Sequence, residues 1–247
     1  SKVQFRTEVI DAKGRPSGVF KPPPHLPMPN GDMRREELAR PYDIVWMATS
    51  ANAFRTDAVR RIFPIPVEDY PASGADWYLV HLSALLGSVI SLQEACAGYR
   101  VHGENSYEQL RPELDLVHVR QAIEFARPTS KALIRFAAEL GLEHPSRILS
   151  IADLANRMIS LRLEPELHPV PGERRGGLLG DAARAAARRD DVAAPMKLAF
   201  VAWFVAMALA PRGLAKRLAV LFLFPERRSS INLLLGRMQH PDSAPAI

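Results

Sequence analysis

Cysteine is almost absent from the chain: Cys96 is the only one in 247 residues. An intramolecular disulfide is therefore excluded, as is any zinc site built on paired cysteines. Such scarcity suits a reducing compartment without requiring one. Long apolar runs are lacking too. Leu198–Ala210 and Leu218–Phe224 hold 13 and 7 residues, whereas a helix that spans a bilayer needs roughly 20. The opening segment, SKVQFRTEVID, has the character of neither a signal peptide nor a transit peptide. There is no internal repeat and no recognisable nucleic-acid-binding motif. The sequence does not open on Met, so a processed form or a fragment is expected.

What is present describes a folded chain. Apolar residues make up 47% and charged residues 24%, enough for a packed core. The length allows one large domain, or a medium one with an appendage. Proline clusters near the start, at Pro22, Pro23, Pro24, Pro27 and Pro29. Charge is unevenly placed. Residues 172–247 hold 12 Lys and Arg against 6 Asp and Glu, while 1–171 are near neutral. A basic third on a neutral body points to an anionic surface as partner.

Val3, Phe5, Thr7 and Val9 alternate with polar residues and predict a half-buried strand, followed by a turn at Asp11–Gly14. Residues 15–31 read as a Pro-rich loop and Met33–Arg40 as a short helix. Tyr42–Thr49 alternates again and suits a strand. Thr56 is placed to cap a helix running to Phe63, where Pro64 ends it. Ala75–Leu86 has helical spacing and closes on Gly87. Val89–Leu92 and Gly98–His102 read as two short extended segments. Residues 115–141 and 145–163 are amphipathic helices, the first interrupted at Pro128. Pro165–Gly177 is a linker, and Asp181–Arg189 a short basic helix. The two apolar runs follow, flanked by Arg212, Lys216, Arg217, Arg227 and Arg228. Such flanks fit interfacial membrane attachment; burial in a small helical bundle is the other reading.

Three landmarks occur in order between residues 42 and 107: SANAFR at 50–55, ADWYL at 75–79 and YRVHGEN at 99–105. Their order and spacing resemble the second half of family 2 glycosyltransferases, enzymes of the GT-A fold. The likeness covers about residues 1–107. It implies an α/β fold class, with a partial GT-A, Rossmann-like core over 1–112; the patterning of the remainder predicts a helical extension over 113–171 and a basic, apolar, membrane-associating region over 172–247. It implies inverting, metal-dependent sugar transfer from a nucleotide-sugar donor to a glycan or lipid-linked acceptor, as in cell-wall or polysaccharide biosynthesis. The site would be cytoplasmic, peripheral at the inner face of a membrane reached through 178–228, with no nucleic-acid partner.

Inverting transfer needs a base for the acceptor hydroxyl. The resemblance gives that role to Asp76, at the start of a helix, although Asp is also a common helix cap. Glu68–Asp69 is a rival acidic pair, set in a loop by Pro71 and Gly74. His102 matches a histidine that in this family helps hold a divalent metal, Mg or Mn, with Arg100 and Asn105 as neighbours. Ala51 stands where relatives often carry glycine, and Asn52 and Arg55 complete that donor-binding or acceptor-binding segment. Trp77 is placed to stack on an acceptor sugar or to sit in the core. No Asp-x-Asp occurs anywhere in the chain. In the family that motif lies in the nucleotide-binding half, so these residues are expected to be the C-terminal part and to turn over little alone. A non-catalytic, membrane-associated helical interaction domain is the alternative.

Overall fold

The computed structural model describes residues 1–70, 74–102 and 113–224. The chain is mixed α/β, with a small mixed sheet and a helical C-terminal region. It divides into two units, one of residues 1–110 with 122–150, the other of 111–121 with 151–247.

The first unit is built on β1 (Lys2–Ile10). Its partner on one side is β4 (Val89–Arg100), parallel along the whole strand. On the other side β2 (Pro16–Lys21) pairs with the second half of β1 and β3 (Asn52–Phe54) with its start, both antiparallel. β1 and β2 form a hairpin. Asp11 Oδ1 accepts the backbone N–H groups of Lys13 and Arg15, at 2.8 and 2.9 Å, and Gly14 takes the positive φ of 83° that closes the turn.

The alternation of β1 is present, but its polar face is the more buried one. Lys2, Gln4 and Arg6 are 2%, 0% and 3% exposed. The cause lies in the Pro-rich segment that follows β2. Prolines offer carbonyls without N–H donors, and buried carbonyls need donors from elsewhere. Arg6 supplies them, donating to the carbonyls of Pro22 (2.7 Å), Pro23 (3.0 Å) and Leu26 (3.0 Å), and to Gln93 Oε1 (2.8 Å).

Four expectations need correction here. The 15–31 segment is not all loop, since β2 occupies Pro16–Lys21. The two short extended segments are one strand, β4, because β1 offers a partner of matching length. The extra residues of β4 are taken up by register shifts around Arg6, which bring Gln93 to the guanidinium. Tyr42–Thr49 is no strand: Pro41–Asp43 is a 3-10 turn, with irregular backbone after it and a second 3-10 turn at Thr49–Ala51. Side chains take the place of a ladder there. Gln4 Oε1 accepts the Met47 N–H at 3.3 Å, and Asn52 Nδ2 donates to the carbonyls of Met47 and Ala48. The helix at Thr56 stops at Val59 and has no side-chain cap.

The helices of the first unit are α1 (Arg34–Ala39), α2 (Thr56–Val59), α3 (Ala75–Leu85) and most of α4 (Leu116–Glu139). The core joins α3 to α4 through Tyr78, Leu82 and Leu85 against Phe125, Leu133 and Ala137, with Leu38, Ile62 and Tyr70 around them. α4 runs through Pro128 rather than breaking there. Proline removes one helical hydrogen bond and crowds the preceding turn. Hydroxyls serve that turn instead: Thr129 Oγ1 donates to Phe125 O at 2.7 Å and Tyr42 Oη to Ala126 O at 2.7 Å.

The second unit is helical. α5 (Ile151–Leu163), α6 (Arg175–Ala187), α7 (Ala194–Leu209) and α8 (Arg212–Leu223) pack around α5. Leu154, Ala155, Met158 and Ile159 of α5 are fully buried, as are Phe204 and Met207 of α7 and Ala215 and Ala219 of α8. α6 starts six residues before the expected basic helix. A buried ionic network ties the Pro165–Gly177 segment to α5. Arg157 pairs with Asp153 (3.3 Å) and with Glu173, and His168 Nε2 meets Glu173 at 3.0 Å.

Candidate functional site

Asp76 lies in the first turn of α3. Gly74 precedes the helix at φ 88°, a conformation that a side chain resists. A Cβ there would also sit 2.5 Å from the Phe125 ring. Glycine is thus required at this corner twice over, and the corner fixes where the helix begins. Asp76 Oδ1 accepts the N–H of Trp77 at 3.0 Å, and that of Trp77 also reaches Gly74 O at 2.9 Å. The carboxylate is half-buried. It stands in the first turn, at the positive end of the helix dipole.

Trp77 forms an aromatic wall beside it. Its ring meets those of Tyr42, His81 and Phe125, with centroids at 5.3, 5.7 and 6.1 Å. Tyr42 is held by its hydroxyl, which donates to Ala126 O and accepts from Ser130 Oγ at 2.8 Å. Behind the wall lies a polar cluster with no counterpart in the sequence-based expectation. His81 Nδ1 is 2.6 Å from Glu37 Oε1, both buried, and Trp46 Nε1 donates to Glu37 Oε2 at 2.9 Å. Lys2 Nζ lies 3.9 Å from the centre of the Trp46 ring and donates to Val80 O at 3.0 Å. Burial pulls the Lys2 ammonium down to a pKa of about 7, against the opposing pull of Glu37. These residues were missed because 44 positions separate Glu37 from His81 and because Lys2 sits on the face of β1 that alternation assigns to solvent. No short-range signal could have joined them.

The remaining expected residues fall into two groups. Ala51 and Asn52 lie in the 3-10 turn and β3, and that turn packs on α3. Ala51 is buried, and Asn52 spends its amide on the Met47 and Ala48 carbonyls. Arg55 is exposed and paired with Asp57 at 2.6 Å. Arg100 and His102 are elsewhere. Asn52 is level with Gln4 and Arg100 with Ile10, six residues along β1, or about 20 Å at strand rise. Arg100 donates to Ala12 O at 2.9 Å and so braces the hairpin turn. His102 is exposed just beyond β4. Asn105 lies outside the described residues. Glu68 and Asp69 are exposed in a turn.

Among the described residues no group of three or more His, Cys, Asp or Glu side chains is placed to hold a metal ion. The described residues therefore do not by themselves make a site for the divalent cation that the resemblance implies. No described helix is long and apolar enough to cross a membrane.

Comparison with models of known families, with curated proteins and with solved structures finds no match.

Proposed function

We propose that the first unit is the acceptor-side part of an inverting glycosyltransferase of the family 2 type, with a GT-A-like core and Asp76 as the base. The observation that carries this reading is the placement of Asp76. A half-buried carboxylate opens a helix at a corner that only glycine can form, beside the Trp77–Tyr42 wall. Aromatic faces of this kind suit the apolar faces of a sugar ring. Asp76 would take the proton of the acceptor hydroxyl. The oxygen would form the new bond to the anomeric carbon as the bond to the donor's diphosphate breaks and the electron pair leaves with the diphosphate. The parallel pairing of β1 with β4 is the kind of pairing that a Rossmann-like core contains. Apart from a bridge between Gly31 and Val89, β4 pairs with β1 alone among the described residues. That outer edge is a surface on which a donor-binding half could continue the sheet.

The chain's own groups supply base and acceptor wall; a nucleotide-sugar site and a divalent cation would need residues other than those described. The test is sugar transfer by the complete gene product with a panel of nucleotide sugars and glycan or lipid-linked acceptors. Asp76→Asn is expected to lower kcat by at least 10²-fold, with donor binding kept. Near-normal turnover of that variant would remove Asp76 from the role.

A further inference from the structure

α7 has one charged residue, Lys197, in its 16 positions. A helix that apolar is ordinarily buried all round, or lies in lipid. α7 is buried on one side only, where Phe204, Met207 and Ala208 are covered. The opposite side is open. Leu198 is 71%, Val205 41% and Leu209 77% exposed. Ala199, Ala202 and Ala206 fill the gaps between them, all exposed. The spacing 198, 202, 205, 209 is that of one helical face, so these residues form a continuous uncharged stripe rather than scattered surface leucines. Stripes of this kind mark interaction surfaces.

The charges nearby divide into two sets. Several arginines are tied to backbone carbonyls of the unit. Arg175 donates to Ala208 O at 2.8 Å, Arg162 donates to Ala210 O, and Arg212 donates to Leu163 O at 3.0 Å. Each satisfies a carbonyl at a helix C-terminus. Lys216 and Arg217 on α8 are exposed, next to Leu214, which is also exposed.

We propose that the outward face of α7, with Leu214, Lys216 and Arg217 of α8, is the surface by which the second unit lies on an anionic lipid bilayer. The length of α7 fixes the mode. Sixteen residues reach about 24 Å, short of the roughly 30 Å apolar thickness, so the helix rests in the plane of the interface with its stripe among the acyl chains. Lys216 and Arg217 meet the phosphates above that level. Exposed basic side chains on α8, the helix that packs against α7, complement a negatively charged lipid surface; a neutral protein partner would gain nothing from them. This inference concerns the second unit and stands apart from the assignment of Asp76.

Co-sedimentation of the full chain with phosphatidylcholine vesicles, with and without phosphatidylglycerol, tests it. Binding is expected only with phosphatidylglycerol and is expected to weaken as salt rises. Leu198→Glu with Leu209→Glu should lower binding ~10-fold or more. Both positions are solvent-facing, so circular dichroism should show unchanged helix content; Leu209→Ala gives a milder loss should the double variant misfold. Lys216→Glu with Arg217→Glu should remove the preference for phosphatidylglycerol. Equal pelleting of wild type and stripe variants would overturn the proposal. So would a dimer, seen by light scattering, that Leu198→Glu with Leu209→Glu converts to monomer, because a second copy would then own the face.

Discussion

Lys2 offers a sharp test of the packing behind the candidate site. Its ammonium is buried and its pKa falls from the ordinary 10.5 to about 7, chiefly through desolvation, with Glu37 opposing. The unfolded chain keeps this proton up to about pH 10.5, the folded chain only up to about 7. Folding therefore releases a proton between those values, and stability rises with pH across that window and levels off below it. Taken over its full width, the shift is worth about 5 kcal/mol. Between about pH 7 and about pH 9 it should raise the unfolding free energy by about 2 kcal/mol. Urea unfolding at several pH values, followed by tryptophan fluorescence, measures this. Lys2→Met keeps the stem against Trp46 and removes the titration. It should flatten the profile over that range and be no less stable than wild type near neutrality, because a buried charge is replaced by an apolar group of similar size. An identical rise with pH in wild type and Lys2→Met would refute the reasoning.

Two other substitutions probe single contacts. Gly74→Ala should cost about 2–4 kcal/mol in unfolding free energy, from the strained positive φ and the clash with Phe125; a melting temperature unchanged from wild type would contradict the assigned corner. Arg157→Ala leaves Glu173 and Asp153 without their shared cation and should destabilise the second unit by about 3–5 kcal/mol, read by urea unfolding, with less effect if Glu173 is also replaced by Gln.

Parts of this structure were legible in the sequence for physical reasons that also set the limits. α3 was readable because Ala75–Leu85 carries helical spacing and ends before Gly87, a local signal. The place of Asp76 on it followed. The presence of β1 was readable, yet the burial of its faces was not. Alternation ranks faces by polarity, and here Arg6 is drawn inward by carbonyls that proline leaves without donors. Tyr42–Thr49 alternates as a strand would, but hydrogen bonds from Gln4 and Asn52 fix it in another conformation. Residues far away in sequence made that choice. The same holds for the Glu37–His81 pair: its members sit on two helices, and only their packing brings a carboxylate to an imidazole. α4 shows the converse. Pro128 is a strong local signal for a break, and it is overridden by hydroxyls from Thr129 and Tyr42 and by the burial of Phe125 and Leu133 on either side of it.

The most direct measurement is the rate of sugar transfer by the complete gene product and by its Asp76→Asn variant, alongside calorimetric titration of each with the nucleotide sugar that wild type uses. The account predicts that turnover falls by at least 10²-fold while donor affinity stays within about 2-fold, because removing the base leaves the donor site untouched. Turnover by Asp76→Asn at the wild-type rate would contradict it, as would a wild-type gene product that transfers sugar from no donor in the panel.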